Sequence, residues 1–427
     1  MRYIRLRSLL TIIPLITILT ITGTTTPAEA EPADAYPRIW ATTAPAYQPL
    51  SATAPVDTNS VAIVKNIKRY GIEQYGVPAR DLPSMNLAIR KFSNPLWTAR
   101  NTDPSYDIRF HDCQKKGYTP SQFKKLKGVH IPARAVQSAG TDGQLAVFNA
   151  DTGRYVDLWQ AYKKKNKWYA CWGGSIASTY QSNGTFPAPT GVSASGVALE
   201  PYTVKVAELR AGRIDHVIGM HVPPQVIDSY VSKPATRTDG RLPRTGNTIS
   251  EGQYLRLPAN LDIDSLNLHP VAKTIAKAAQ KYGFMVVDGS GGINLTLENA
   301  STFAKDPYPE LFGDAESYNV MWGGLHGKYA AFPFDKLQVI KRNYVPKPKV
   351  TIKVTDQGKS SFGFKATGAP SGARLVVTWW RKGGTHLSTA NATTWWSGQQ
   401  TGYRHAQAKL ISAKGKTLVK SPVVRRR

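Results

Sequence analysis

Acid is scarce in this chain: 28 Asp and Glu stand against 55 Lys and Arg in 427 residues, a formal charge of +27. That excess points to an acidic partner and says nothing about fold. Cysteine is scarcer still, and two thiols cannot build a disulfide-dense scaffold or a Cys-rich zinc module. Neither an HExxH nor a His-x-His pair is present, so no metal ligand set and no cofactor is expected. Helix-turn-helix, nuclease and RNA-binding patterns are missing too. What remains is ample apolar material, 41% of residues, and a length that at about 150 residues per domain gives two to three domains.

The N-terminus reads as an export address. Arg2, Arg5 and Arg7 precede the apolar run Leu9–Ile21, and Ala28-Glu29-Ala30 has the small-x-small form of a cleavage site. The run has 13 residues, short of the roughly 20 that span a bilayer, and no later segment approaches that length. Residues 1–30 are therefore a signal peptide and the mature chain is secreted; an uncleaved anchor is the alternative. Losing three arginines and Glu29 lowers the charge from +27 to +25.

Residues 31–56, rich in Ala, Pro and Thr without apolar period, read as an extended or disordered linker. A stiff Val345-Pro346-Lys347-Pro348-Lys349 stretch separates a core of residues 57–345 from a tail of 346–427. From Pro348 onward 15 basic residues face one acid, Asp356, so the tail carries more than half of the excess charge.

The core opens with a predicted helix, capped by Asp57, striped by Val61, Ile63, Val64 and Ile67, and stopped at Tyr70-Gly71. Beyond Tyr106 the apolar period becomes two. Strands are expected over 144–150, 154–161, 167–173, 192–199, 214–222, 253–257, 284–288 and 293–297, with a helix from Pro270 to Tyr282 stopped by Gly283. Many strands and few helices argue for a mainly β fold, a β-sandwich or jelly-roll-like core with helical decoration. Strands over 350–354, 361–366, 374–380 and 405–411 make the tail a small immunoglobulin-like β-sandwich.

Cys113 and Cys171 are the only thiols, and an exported protein keeps disulfides. A bridge is the better reading and two free thiols the alternative. Around Cys171 the motifs form a recognisable set: Gly140-Thr141-Asp142-Gly143, Asp157-Leu158-Trp159, Cys171-Trp172-Gly173-Gly174, the glycine-rich 191–196, the 208–216 stretch ending in Ile214-Asp215-His216, and Tyr282-Gly283. Over residues 61–306 the chain resembles a family of secreted β-rich proteins of actinobacteria. The resemblance implies export, a β-rich core and the Cys113–Cys171 pairing, and it carries no established reaction.

For catalysis the candidates are His216, His221, Tyr254 and Arg256. Elimination on an acidic polysaccharide needs a cation for the uronate, a base and an acid, and these residues with Arg213 are of the right types. Period two places His216 on an apolar face, where a satisfied core histidine is the simpler reading, and His221 on the more accessible one. Asp262-Ile263-Asp264 reads as turn chemistry, and Arg237 and Arg241, flanking an Asp-Gly turn, could clamp an anionic sugar. For binding the candidates are Asp157, Trp159, Trp172 and Arg213, joined in the tail by Trp380 and Trp396, one ring from each adjacent pair facing outward.

The leading expectation is thus a secreted protein binding carbohydrate or an anionic cell-envelope polymer, with nucleic acid ranked well behind. A glycoside hydrolase or polysaccharide lyase on the same core is the alternative. Convergence of two or three of Asp157, Arg213, His216, His221, Tyr254 and Arg256 in one cleft would mark the enzyme; scattered or buried positions would mark the binder.

Overall fold

The computed structural model describes residues 38–73, 85–113, 126–313, 319–323, 328–347, 350–357, 361–370, 372–381, 386–392, 394–399 and 403–425. The expected signal peptide lies outside them. Among the described residues no helix is long and apolar enough to cross a membrane.

Strands outnumber helices throughout, and the fold is mainly β. The core is built on a six-stranded sheet in the order Met85–Ala88, Ile293–Thr296, Ile218–Val222, Phe284–Gly289, Tyr254–Arg256, Gln338–Val339. The sheet is mixed. Met85–Ala88 runs parallel to Ile293–Thr296 and Ile218–Val222 parallel to Phe284–Gly289, while the other neighbours are antiparallel. Helices Ser60–Glu73 and Pro270–Lys281 contribute Ile63, Val64, Ile67, Val271 and Ile275 to the same buried cluster as Ile218, Met220, Phe284, Val286 and Leu295, so they cover one face of this sheet. The second helix starts where expected because Pro270 is pre-set for a first turn and His269 Nδ1 accepts the Val271 N–H at 3.2 Å.

The first helix differs from its sequence pattern at both ends. Val61 is 83% exposed and is not part of the buried stripe. Gly71 does not stop the helix, which runs to Glu73. Gly71 is buried one turn beyond Ile67, and the roughly 1 kcal/mol that glycine costs in a helix interior does not end the helix there.

The opposite face of the sheet packs Tyr202, Val217, Tyr254, Met285 and Val287 against Ala46 and Leu50. Residues 38–56 therefore do not form a spacer. Trp40, Ala44 and Ala46 are buried, and Trp40 packs edge-on against Tyr155. Small residues fill a tight space here without any apolar period, which is why composition alone suggested a linker.

A second, four-stranded sheet runs Trp172–Ile176, Tyr155–Trp159, Leu145–Asn149, Leu96–Ala99. It has a core on each face, Leu145, Val147, Val156 and Leu158 on one and Ala146, Phe148, Tyr155 and Ile176 on the other. The expected strand over 192–199 is absent; that stretch is irregular and makes one isolated bridge, Val197 to Thr185.

The tail forms two sheets. Thr351–Gln357, Ser361–Thr367 and Trp395–Gln399 make one; His386–Ala392, Arg374–Trp380, His405–Ile411 and Thr417–Lys420 make the path of the other, with Val424–Arg425 added to His405–Ile411. Phe362, Phe364, Leu375, Val377, Trp379 and Leu410 share one buried cluster, the arrangement of a sandwich.

Candidate functional site

Cross-strand neighbours in a sheet point to the same face. Asn86 pairs with Asn294, Asn294 with His221, and His221 with Asp288, giving a row of four polar side chains across four adjacent strands. The row lies on the face turned away from the helices, because Met85, Leu87, Met220, Val222, Ile293 and Leu295 fill the helix-covered core between them.

Asp288 reaches this row through a bulge. Met220 pairs with Val286, yet the next residue, His221, pairs with Asp288, leaving Val287 as an extra residue. Phe284 and Val286 enter the helix-covered core and Met285 and Val287 the opposite one. Strict alternation would send Asp288 in with Val286; the bulge brings it beside His221.

The row lines a cavity of about 630 Å³. Trp159 and Trp172, direct register partners on adjacent strands of the second sheet, form another part of its lining, together with Asp142 and Gln144. Both rings are partly exposed, and Trp159 Nε1 donates to Asp142 Oδ1 at 3.4 Å. Cys171 precedes Trp172, donates its backbone N–H to the Trp159 carbonyl at 3.0 Å, and is bridged to Cys113. The disulfide thus anchors the backbone that carries the tryptophan pair.

Loops complete the lining. Arg237 donates to the carbonyls of Gly191 at 2.7 Å and Ser193 at 2.5 Å. The Gly191 loop approaches the second sheet only because Gly174 has no side chain: a Cβ there would lie 2.8 Å from the Gly191 nitrogen and 2.6 Å from the Phe186 ring. Asp239, on the Asp-Gly turn two residues past Arg237, also lines the cavity, as do Gly289, Ser290 and Gly291.

The electrostatics of this region are set by burial. Asp288 accepts N–H bonds from Ala194 and Gly289, but burial, aided by the Asp239 charge, raises its pKa to about 7. Glu251, fully buried, is raised to about 9 by burial and by Asp288. Thr238 and the Asp239 backbone oppose that rise, yet neither Glu251 oxygen completes a hydrogen bond. Burial lowers His221 to about 4 against the opposing pull of the Gly289 carbonyl, so the ring is neutral near pH 7, with Nε2 2.9 Å from Thr296 Oγ1. One carboxylate oxygen from each of Asp239, Glu251 and Asp288 lies within 4.8 Å of the others, a donor set of the kind that holds a cation.

Of the residues singled out from sequence, His221, Trp159 and Trp172 line the cavity. Asp157 is close to this region but fully buried, with neither oxygen hydrogen-bonded; burial raises its pKa well above the usual range while Arg237 and the Val192 backbone pull it down. It is not a surface ligand contact. The others are elsewhere. His216 sits with Nε2 3.0 Å from Glu208 Oε2 and Nδ1 2.7 Å from the Val217 carbonyl, the satisfied core histidine. Arg213 pairs with Asp215 at 2.7 Å. Tyr254 is buried in the apolar cluster beneath the sheet. Arg256 is spent on the Ser51 and Ala52 carbonyls and Gln338, tying down the N-terminal segment. The expected catalytic group of His216, His221, Tyr254 and Arg256 therefore does not assemble, because only His221 combines the right strand with the right face.

In the tail, Trp379 is buried and Trp380 half-exposed, as alternation requires. The second pair is reversed from expectation. Trp396 stacks on Trp379 at 5.1 Å, and Trp395 is the outward ring, 58% exposed.

Missed from sequence were Asn86, Asn294, Asp288, Asp239 and Glu251. The available signal was Asp288-Gly289-Ser290-Gly291-Gly292, an acid ending an apolar strand before a glycine loop. No family model and no curated protein matches the chain. Among solved structures, an endonuclease/exonuclease/phosphatase from Beutenbergia cavernae DSM 12333 aligns over 23% of this chain and 32% of its own at 11% identity, with a TM-score of 0.12. That likeness carries no argument about fold or function.

Proposed function

We propose that the protein is exported and binds a glycan in this cavity. The observation that carries the reading is the pair Trp159–Trp172, two half-exposed rings side by side in the same cavity as the polar row Asn86, Asn294, His221 and Asp288. Rings offer flat apolar faces to sugar C–H groups, and the amides and carboxylates offer acceptors and donors for hydroxyls. The lining holds more acid than base, so the occupant of the cavity itself is a neutral sugar unit. Attraction to an anionic cell-envelope polymer or acidic polysaccharide belongs to the basic tail, with Trp380 and Trp395 beside its charges. The Cys113–Cys171 bridge fits an oxidising compartment.

Glycan-array binding by the full chain tests the reading. Trp159→Ala and Trp172→Ala are each expected to weaken retention about tenfold, near the value of one good stacking contact. Absence of any retained glycan, or alanine variants that bind like the parent, would sink it. Hydrolysis is the second reading, favoured by the presence of Asp142 on the second-sheet side and Asp288 on the polar row in one cavity. Release of reducing ends from a retained glycan, lost in Asp142→Asn, would establish turnover.

A further inference from the structure

We propose that Asp239, Glu251 and Asp288 form a binding site for a hard divalent cation of the Ca²⁺ or Mg²⁺ class beside the cavity. Their carboxylate oxygens converge within 4.8 Å, from a turn, the end of the Ile249–Glu251 strand and the bulged end of the Phe284–Gly289 strand. Convergence of acids alone proves little. The second observation is Glu251, whose side chain is wholly buried, points into the group and leaves both oxygens without a hydrogen bond. Burying a carboxylate without a partner is costly, and folded proteins supply such groups with a proton donor, a counter-charge or a metal.

The protein supplies the counter-charge only in part. Among the described residues no salt bridge joins Asp239, Glu251 or Asp288 to a lysine or arginine. Arg237 is near enough to feel the charges of Asp288, Asp157, Glu251 and Asp239, but its Nη2 donates to the Gly191 and Ser193 carbonyls instead of to a carboxylate. One guanidinium thus faces four acids, in a chain with 55 basic residues.

The donor types choose the class of ion. His221 is the nearest imidazole along the row, and its nitrogens are engaged by Thr296 and the Gly289 carbonyl. Both cysteines are in the disulfide. Oxygen-only donors select hard cations over Zn²⁺ or Cu²⁺. Three carboxylates do not saturate Ca²⁺, which takes about six to eight oxygens. Because Asp239 is exposed and, with Asp288, lines the cavity, the remaining positions face it and are open to water or to a sugar hydroxyl.

The test needs no glycan, so its failure and the failure of the glycan reading are separate results. The full chain, stripped with a chelator, is titrated calorimetrically with CaCl₂ and with MgCl₂, and melted with and without each. One ion is expected to bind with a dissociation constant of about 10⁻⁶ to 10⁻³ M, the weaker part of the span of oxygen-ligand calcium sites, and to raise the melting temperature. Glu251→Gln keeps the shape of the side chain; it should melt like the chelated parent and lose the cation-dependent rise. Asp239→Asn changes an exposed turn residue and should weaken binding at least about tenfold, a result that decides the matter if Glu251→Gln does not fold. No binding of either ion, binding of Zn²⁺ alone, or undiminished binding by Asp239→Asn would overturn the proposal.

Discussion

Two groups of buried charge lie in this core and are treated in opposite ways. In the first, Glu200 is held by Lys205 Nζ at 2.8 Å and by Trp40 Nε1, while Glu208 takes His216 Nε2 at 3.0 Å and the Lys205 N–H at 2.9 Å. Glu298 accepts the Val206 N–H at 3.0 Å. Every acid there has a donor. In the second, Asp157 and Glu251 have four oxygens and no hydrogen bond among them. A folded chain pays to remove charge from water, and it recovers that cost only through partners. The first group recovers it internally and is structural. The second is relieved by protonation, because burial raises the pKa of both acids, and it adjoins the cavity in which we propose that a ligand binds.

The contrast predicts unequal responses to mutation. The largest belongs to the satisfied group: Lys205→Met strands Glu200 in the interior and should cost about 3 kcal/mol in urea denaturation. A loss below 1 kcal/mol would mean that Trp40 alone satisfies Glu200 and that the first group is less tightly coupled than its distances imply. In the unsatisfied group the sign reverses. Asp157→Asn should stabilise by about 1 kcal/mol at pH 8, the lower end of what an unpartnered buried polar group costs. The Asp157 pKa is raised on folding, so between the unfolded and folded values the unfolded chain ionises first and stability falls as pH rises. Below about pH 4 the acid is neutral in both states, and parent and variant should converge. Asp157→Asn that destabilises at both pH values would show a hidden partner.

The smallest effect is a pH dependence within the first group. Burial alone would lower the His216 pKa, but the charge and hydrogen bond of Glu208 and the Val217 carbonyl raise it overall; Glu208, for its part, is lowered despite burial, chiefly by His216 and by the Lys205 N–H. The histidine's contribution is complete below its unfolded pKa and is lost as pH rises through the folded value. That of Glu208 is present above its unfolded pKa and is lost as pH falls through the folded one. Melting temperature should therefore decline on the alkaline side of neutrality, and His216→Gln should flatten that limb. An unchanged profile in the variant would put the titration elsewhere.

Local patterns were legible where the rule was local. The strands over 374–380 and 405–411, the helix after Pro270, the Cys113–Cys171 bridge and the tryptophans at 159 and 172 follow from period, capping and compartment. His216 is a buried, satisfied histidine as expected, but it lies on a bend before the Ile218–Val222 strand, which starts four residues later than the expected 214–222, so alternation is not what buries it. The acids at 239, 251 and 288 were not legible, because three separate segments bring them together and none carries a contiguous motif. Which of Trp395 and Trp396 faces outward is not legible, because alternation says that adjacent rings oppose each other without saying which is inside. Residues 38–56 misled for a different reason: Trp40 and a few alanines fill space against Tyr155, a matter of shape that composition does not record.

The extra residue at Val287 bears on how such a cavity tolerates change. With a side-chain period of two, regular pairing through Val287 would turn Asp288 toward the helix-covered face; the bulge takes up the odd residue and keeps the acid beside His221. Deleting Val287 would let the acid follow Val286 directly, on the face that His221 occupies, so it would stay in the row with the bulge gone. What the cavity holds is thus insulated from a single insertion or deletion at this point, and depends instead on whether the odd residue is bulged out or paired.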